Sequence, residues 1–270
     1  MTNYNNSEHT VKALNSIYAS DIGNCLVVIV DNASEKREQE KLEAVRSKYP
    51  ATKIIYNDIN LGYFPGLNVG LNYIKKELIG DYIVYVGNND IVFPKNMEKQ
   101  LSSISDVMSE YPVISPDIRT LEGDPQNPHV ISRISYIRGL LYDLYHVNYF
   151  FACVLTKLAH VTKSFTRRGD EDFFNVSQEI CQGYGAMYML TPLFFTHFSQ
   201  LTEEPFLLYE EFFLSVQLAE KGYKVFYDPR VTLVHSCKGA TGLIPGKLKW
   251  SYSKVSHEKY KQYLKENECD

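Results

Sequence analysis

Two short apolar runs, each handing over to polar residues, organise the first third of this chain. Leu26-Val-Val-Ile-Val30 leads into Asp31-Asn-Ala-Ser34, and Tyr82-Ile-Val-Tyr-Val86 leads into Gly87-Asn-Asn-Asp90. Runs of five residues without polar alternation predict strands buried on both faces, the pattern of a parallel sheet. Between them, residues 35–48 carry dense mixed charge with Leu42 and Val45 three apart, which predicts an exposed amphipathic helix. Lys53-Ile-Ile-Tyr56 reads as a short strand, Asn60-Leu-Gly-Tyr63 opens a glycine-rich loop, and residues 68–78 read as a helix. Strands alternating with helices at this spacing imply βαβ units with right-handed crossovers.

Beyond Asp90 the pattern changes. A helix is expected over residues 95–111, a strand at Val113-Ile-Ser-Pro116, a surface loop over 121–128, and a long aromatic helix over 136–158. Residues 163–172 read as a charged linker, and Gly183-Tyr-Gly-Ala-Met-Tyr-Met-Leu190 as a strand. Residues 203–221 have helical period and end at Gly222, a helix-stop signal. Residues 223–227 and 231–235 predict two more short strands. At the other end, Thr2-Asn-Tyr-Asn5 sits where a strand-to-helix turn belongs, with a helix over 10–18, yet no strand feeds that turn. A first strand missing from the centre of such a sheet would expose its neighbours' edges.

Composition narrows the class without deciding it. In 270 residues, 44% are hydrophobic and 22% charged, ordinary values for a globular chain. A net charge of −4 gives no electrostatic reason to expect nucleic acid as a partner. The five cysteines lack any CxxC pair, which argues against a disulfide framework or zinc site and for a reducing, cytoplasmic setting. The polar N-terminus resembles no signal peptide, and the longest apolar run is too short to span a bilayer.

The chemistry-bearing candidates lie at predicted strand ends. Ligands in open α/β sheets sit outside the carboxyl ends of the strands, which is where Asp90 falls. A hard oxygen ligand there suits magnesium or manganese carrying a diphosphate, and equally a polar turn after a core strand.

Taken together the segments resemble the inverting family-2 glycosyltransferases of GT-A fold, particularly bacterial rhamnosyltransferase-like members. The matching pieces run in order: Asn3-Tyr-Asn5; Val30-Asp-Asn-Ala-Ser34; Asn60-Leu-Gly-Tyr63 with Gly66, Asn68 and Gly70; Gly87-Asn-Asn-Asp90; Gly185-Ala-Met-Tyr-Met-Leu190; Tyr209-Glu-Glu-Phe212; and Gly222-Tyr through Pro229 to His235. The resemblance implies an α/β GT-A fold, with a single, mostly parallel central sheet flanked by helices and its first strand apparently missing. It divides the chain into a domain over 1–237 (a nucleotide-sugar half over 1–116, an acceptor half over 117–237) and a basic, aromatic tail over 238–270.

The resemblance also assigns roles. Asn3, Tyr4, Asp31, Asn60, Gly62, Asn68, Asn89 and Asp90 become donor-binding residues. Asp31 would accept from a uracil or thymine imide, or else cap a helix. Gly62, Gly66 and Gly70 would let backbone approach a nucleotide; Asn60 and Asn68 would bond ribose or hold the loop. Asn88-Asn-Asp90 looks like the family's metal motif with only its last carboxylate kept, and His235 resembles a late histidine that completes such a site or is structural. Tyr209-Glu210-Glu211 resembles the family's acidic pair and places the catalytic base at Glu211, beside Glu210; otherwise these glutamates form a solvated helix start.

The implied activity is metal-assisted transfer from a nucleotide-diphosphate sugar, UDP or dTDP type, to a glycan or lipid-linked acceptor in bacterial surface-polysaccharide or glycoconjugate synthesis. Magnesium or manganese is the implied cofactor. The aromatic stretch over 136–158 is core, or contacts a lipid-linked acceptor or a second subunit of a homodimer. The tail, with seven lysines over 238–265, is a solvated helix, a peripheral membrane contact, or a flap over the donor. Two rival classes remain: a sugar nucleotidyltransferase, whose basic glycine-rich loop residues 1–19 lack, and a degenerate nucleotide-sugar-binding module.

Overall fold

The computed structural model describes residues 1–49, 51–132, 134, 136–161, 169–236 and 246–267. Strands β1 (Thr2–Asn3), β2 (Val27–Asp31) and β3 (Thr52–Tyr56) pair in parallel, connected by helices α1 (Ser7–Ala19) and α2 (Lys36–Lys48). Helix α3 (Tyr63–Glu77) leads to β4 (Val84–Gly87), which meets β1 through a parallel bridge between Thr2 and Asn88. The sheet continues through β8 (Met187–Leu190), β6 (Val113–Arg119) and β9 (Val225–His235); β5 (Ile91–Val92) and β7 (Gln178–Ile180) both pair with β9. The α/β class holds. The β2 neighbourhood is parallel as expected, whereas β8 runs against both β4 and β6 and makes the second half mixed.

The first strand is short rather than absent. Thr2 and Asn3 lie opposite Val30 and Asp31, and the Met1 amino group donates to the Val28 carbonyl at 2.9 Å. Two residues generate no apolar run, so the strand leaves no trace in the hydrophobic pattern. Below it, β2 and β4 are separated by a cavity of about 410 Å³ whose walls include Val28, Leu71, Ile74, Val84 and Val86.

Alternation along the central strands splits the core between two faces. Val27 and Ile29 pack with Leu14, Leu42 and Met97 on one face, while Val28 and Val30 pack with Phe64, Leu71 and Leu214 on the other. On β8, Met187 and Met189 join the first group; Tyr188 and Leu190 join the second. This is why the strands read as unbroken apolar runs: neither face meets water.

Several elements differ from expectation, each for a local reason. Helix α3 starts at Tyr63, not residue 68, because Gly62 at φ 92 turns the chain and Gly66 and Gly70 are helical. A Cβ on Gly66 would come 2.6 Å from Asn32 Nδ2, and one on Gly70 would come 3.2 Å from Val30 Cγ2. These two glycines let α3 lie close on β2, and neither lines the large cavity described below. The helix predicted over 95–111 is broken at Ile104 into α4 (Met97–Ser103) and α5 (Ser105–Met108). The aromatic stretch is two helices, α6 (Tyr136–Val147) and α7 (Tyr149–Val161), divided at Asn148, whose Oδ1 accepts from the Phe151 N–H at 3.0 Å.

The strand predicted over 183–190 shortens to β8, and an unforeseen helix α8 (Pro192–His197) follows it. Helix α9 (Glu210–Ala219) starts seven residues later than predicted, since Leu208 and Tyr209 are left-handed. The two strands predicted over 223–235 are one, β9, with a register shift opposite Pro116 and Asp117. A domain line at residue 116 passes through β6, and residues 163–168 of the charged linker predicted over 163–172 lie outside the described residues. The tail forms α10 (Gly246–Asn267), which packs on α6 and α7 rather than standing apart from the domain. Among the described residues no helix is long and apolar enough to cross a membrane.

Candidate functional site

The carboxyl ends of β1, β2 and β4 and the start of α9 face one cavity of about 670 Å³. Asn3, Tyr4, Asn60, Gly62, Asn89, Glu210, Glu211 and His235 line it, so most of the sequence-predicted residues converge there.

The two glutamates reach it through a sharp turn. Leu208 and Tyr209 adopt φ of 70° and 71°, which reverses the chain and places Glu210 and Glu211 in the first turn of α9. Helix-dipole attraction favours acidic side chains there. Glu211 Oε1 accepts from the Gly185 N–H at 3.2 Å, and the Tyr63 hydroxyl donates to the Gly185 carbonyl at 2.7 Å. A Cβ on Gly185 would fall 2.4 Å from Glu211 Oε1, so a side chain there would displace the glutamate carboxylate from this position.

Glu210 is 4% exposed, and its Oε1 has no hydrogen-bond partner among the described residues. Burial first, and the Glu211 charge second, push its carboxyl up to about 8. A carboxyl that holds its proton more tightly in the folded chain contributes stability at low pH and loses it as pH rises through that value. Replacing Glu210 by Gln is therefore expected to raise the melting temperature more at about pH 9 than at about pH 5, measured by thermal unfolding at both. An equal change at both pH values would contradict the buried, protonated state.

Asp90 and His235, predicted as metal ligands, are adjacent: Asp90 Oδ1 lies 3.1 Å from His235 Nε2. Antiparallel pairing of β5 with the end of β9 brings them together, with Ile91 opposite His235. His235 Nδ1 lies 2.9 Å from Gln126 Oε1. An Nδ1–H donated to that carbonyl directs Nε2 towards the carboxylate, an arrangement that suits a metal-binding imidazole. One carboxylate and one imidazole fit as two ligands of a divalent cation. No cluster of three or more His, Cys, Asp or Glu forms among the described residues, so the other ligands would be diphosphate oxygens and water.

Other predicted donor-binding residues serve the scaffold. Asp31 is fully buried and does not line the cavity; it accepts from Asn3 Nδ2 (2.7 Å), from both the N–H and hydroxyl of Ser34, and from Gln39 Nε2 (3.0 Å). Its acceptor capacity is used internally, where it shapes the β2 turn. Asn68 points elsewhere, bonding both the N–H and carbonyl of Leu201 at 2.9 and 2.8 Å. Asn60 Oδ1 accepts from the Gly62 N–H at 2.9 Å and holds the loop. Asn3 and Asn89 touch the cavity, but their amides are engaged: Asn89 Nδ2 donates to Asn6 Oδ1 (2.8 Å) and Thr10 Oγ1 (2.7 Å).

Sequence reasoning missed Gln126 and Tyr184, which also line the cavity, as do Lys249 and Tyr252 of the tail, for which a flap over the donor was one of the expected readings. Gln126 came from a segment read only as a surface loop. Lys249 and Tyr252 belong to the basic, aromatic tail, whose interleaved rings were the available signal. The same helix steadies the turn before α9: Tyr209 Oη and His257 Nδ1 are 3.0 Å apart, and His257 Nε2 is 2.8 Å from Asp143 Oδ1.

Residues 1–156 match the family model for glycosyl transferase family 2. The chain belongs to glycosyl transferase family 2. Curated protein sequences give no match. Among solved structures, this family-2 chain is similar to S. aureus TarS, with TM-score 0.53 and 15% identity over 87% of this chain and 35% of TarS. A mannosyltransferase, PcManGT from Pyrobaculum calidifontis, solved with GDP-Man and Mn2+, matches with TM-score 0.51 and 12% identity over 95% of this chain and 68% of that one. GalNAc-T7, solved with UDP, GalNAc and Mn2+, matches with TM-score 0.53 and 11% identity over 83% of this chain and 41% of that one. At such identities the likeness shows the shared fold, which is that of a GT-A glycosyltransferase. The family-2 chain described here spans about a third of the length of TarS.

Proposed function

We propose that this chain transfers a glycosyl group from a nucleoside-diphosphate sugar, of UDP or dTDP type, to a hydroxyl acceptor with inversion at the anomeric carbon. The observation that carries the reading is the convergence of Glu210, Glu211 and His235 on one cavity large enough for such a donor. The acceptor oxygen attacks the anomeric carbon as the bond to the diphosphate oxygen breaks, and Glu211 takes the acceptor's proton. Glu211 suits that role: it lies on the cavity and is held by one backbone N–H. Lys249, the one lysine or arginine among the described lining residues, supplies positive charge for a diphosphate.

Asp90 and His235 would hold magnesium or manganese, which when bound neutralises charge on the leaving diphosphate. Mn2+ in the PcManGT and GalNAc-T7 structures supports that choice by analogy. The acceptor is a glycan or lipid-linked hydroxyl, and surface-polysaccharide or glycoconjugate synthesis in a bacterial cytoplasm is the setting that best suits the resemblance.

A thermal-shift panel of uridine, thymidine and guanosine diphosphates, with and without manganese, tests the donor reading. UDP or dTDP is expected to raise the melting temperature, more so with manganese, and Asp90→Asn is expected to remove the manganese increment. Ligand at about a hundredfold above its Kd stabilises by about 2.7 kcal/mol, well within detection. No shift with any nucleotide would overturn the reading.

A further inference from the structure

The α6–α7 hairpin leaves an apolar surface that the proposed transfer does not use. Tyr136, Ile137 and Phe150 are 81%, 73% and 71% exposed, and Leu140, Leu141, Leu144, Val154 and Leu158 are exposed with them. Ile137, Leu140, Leu141 and Leu144 recur at helical spacing, as do Phe150, Val154 and Leu158, so each helix carries one outward stripe. The opposite side of α6 is satisfied by α10: His146 Nε2 meets Ser253 Oγ at 2.9 Å, and the His146 and His257 rings stack at 4.2 Å. Contiguous exposed apolar surface of this kind marks an interaction site.

Helix α10 supplies the charge beside it. It carries six lysines and two glutamates in a chain of net charge −4. Lys259 and Lys261 are paired with Glu204 and Asp143, while Lys247, Lys249, Lys254 and Lys265 form no ion pair among the described residues. Trp250 fastens this helix to the hairpin: its Nε1 donates to the Tyr145 carbonyl at 3.1 Å, its ring meets Tyr149 at 5.8 Å, and Lys254 Nζ lies 5.6 Å from its centroid. Val147, Lys254, Lys261 and Lys265 line one shallow groove of about 390 Å³ between α6 and α10, with Asp143 and Glu258 as its two carboxylates.

We propose that this surface seats the protein on an anionic phospholipid bilayer, with the hairpin stripe at the headgroup–acyl boundary and Lys247, Lys254 and Lys265 of α10 on lipid phosphates. An apolar stripe, lysines and an exposed aromatic ring, here Tyr136, are the three components such contacts combine. A second copy is the poorer occupant. A twofold contact centred on the hairpin would set the same basic helix against itself, and like charges repel. Leu248, Lys249 and Tyr252 of the same helix line the large cavity, so α10 carries both the proposed bilayer contact and part of the cavity wall.

Co-sedimentation of the full chain with vesicles tests this independently of nucleotide binding. The protein is expected to pellet with phosphatidylglycerol–phosphatidylcholine vesicles, not with phosphatidylcholine alone, and to be released as salt screens the charges. The triple variant Lys247→Glu, Lys254→Glu, Lys265→Glu should bind about a hundredfold more weakly, at about fivefold per lysine removed. The triple variant Ile137→Ser, Leu141→Ser, Phe150→Ser should lose vesicle binding while keeping its melting temperature, since these side chains are exposed. Equal pelleting on neutral vesicles, no pelleting, or a serine variant that pellets like the parent would overturn the proposal. So would a dimer in light scattering that the serine variant abolishes without any vesicle binding.

Discussion

Glu211→Gln is expected to lower transfer by about 10²–10⁴-fold, the usual contribution of a positioned general base, while nucleotide-induced stabilisation is retained. Glutamine keeps the length of the side chain and an oxygen for the Gly185 N–H, so the turn before α9 stays in place. What it loses is the capacity to take the acceptor's proton. The loss should appear in kcat, with little change in the KM for the donor. A variant that transfers at the parental rate would move the base away from Glu211, and Glu210, buried beside it, would be the next residue to replace.

Gly62→Ala is expected to lower the melting temperature by several degrees and abolish transfer. Gly62 sits at φ 92 and ψ −168, backbone space that is nearly glycine-only and costs a side chain about 1–3 kcal/mol. An added Cβ would also lie 2.2 Å from the Phe206 carbonyl oxygen, which accepts from the Tyr63 N–H. Backbone on both sides must therefore move, and Phe206 is four residues before Glu210. Gly80→Ala separates the two causes: Gly80 has φ 95 but nothing within 4 Å of a new Cβ. Differential scanning calorimetry should show the larger loss in Gly62→Ala, and only that variant should lose activity. Equal losses would mean that strain alone matters and the Phe206 contact does not.

What could be read in advance follows from what burial does to a pattern. β2 and β4 are buried on both faces and therefore appear as apolar runs, and Asn32, Asn88 and Asn89 after them fall on the cavity. Partners distant in sequence were invisible. Asp31 looked like a ligand-facing carboxylate because nothing local reveals that Asn3 and Gln39 consume its lone pairs. Asn68 looked equally suited to ribose until α3 set it against Leu201, 133 residues away. Gly66 fell outside the predicted helix because helix propensity penalises glycine, and tight packing against Asn32 overrides that penalty. Helix α9 was overextended because the helical period continues through residues 203–209, while the left-handed pair at Leu208 and Tyr209 carries no glycine to announce it.

The two-residue β1 has a mechanical consequence. Three parallel strands on one side are joined to the mixed strands on the other by the Thr2–Asn88 bridge and by the amides of Asn3, Asn6 and Asn89. A plate scored along one line bends along that line. The large cavity opens across the score, with Asn32 and Asn60 on one side and Asn88 and His235 on the other. Whatever fills it acts as a splint, stiffening the whole sheet where its own hydrogen bonding is thinnest.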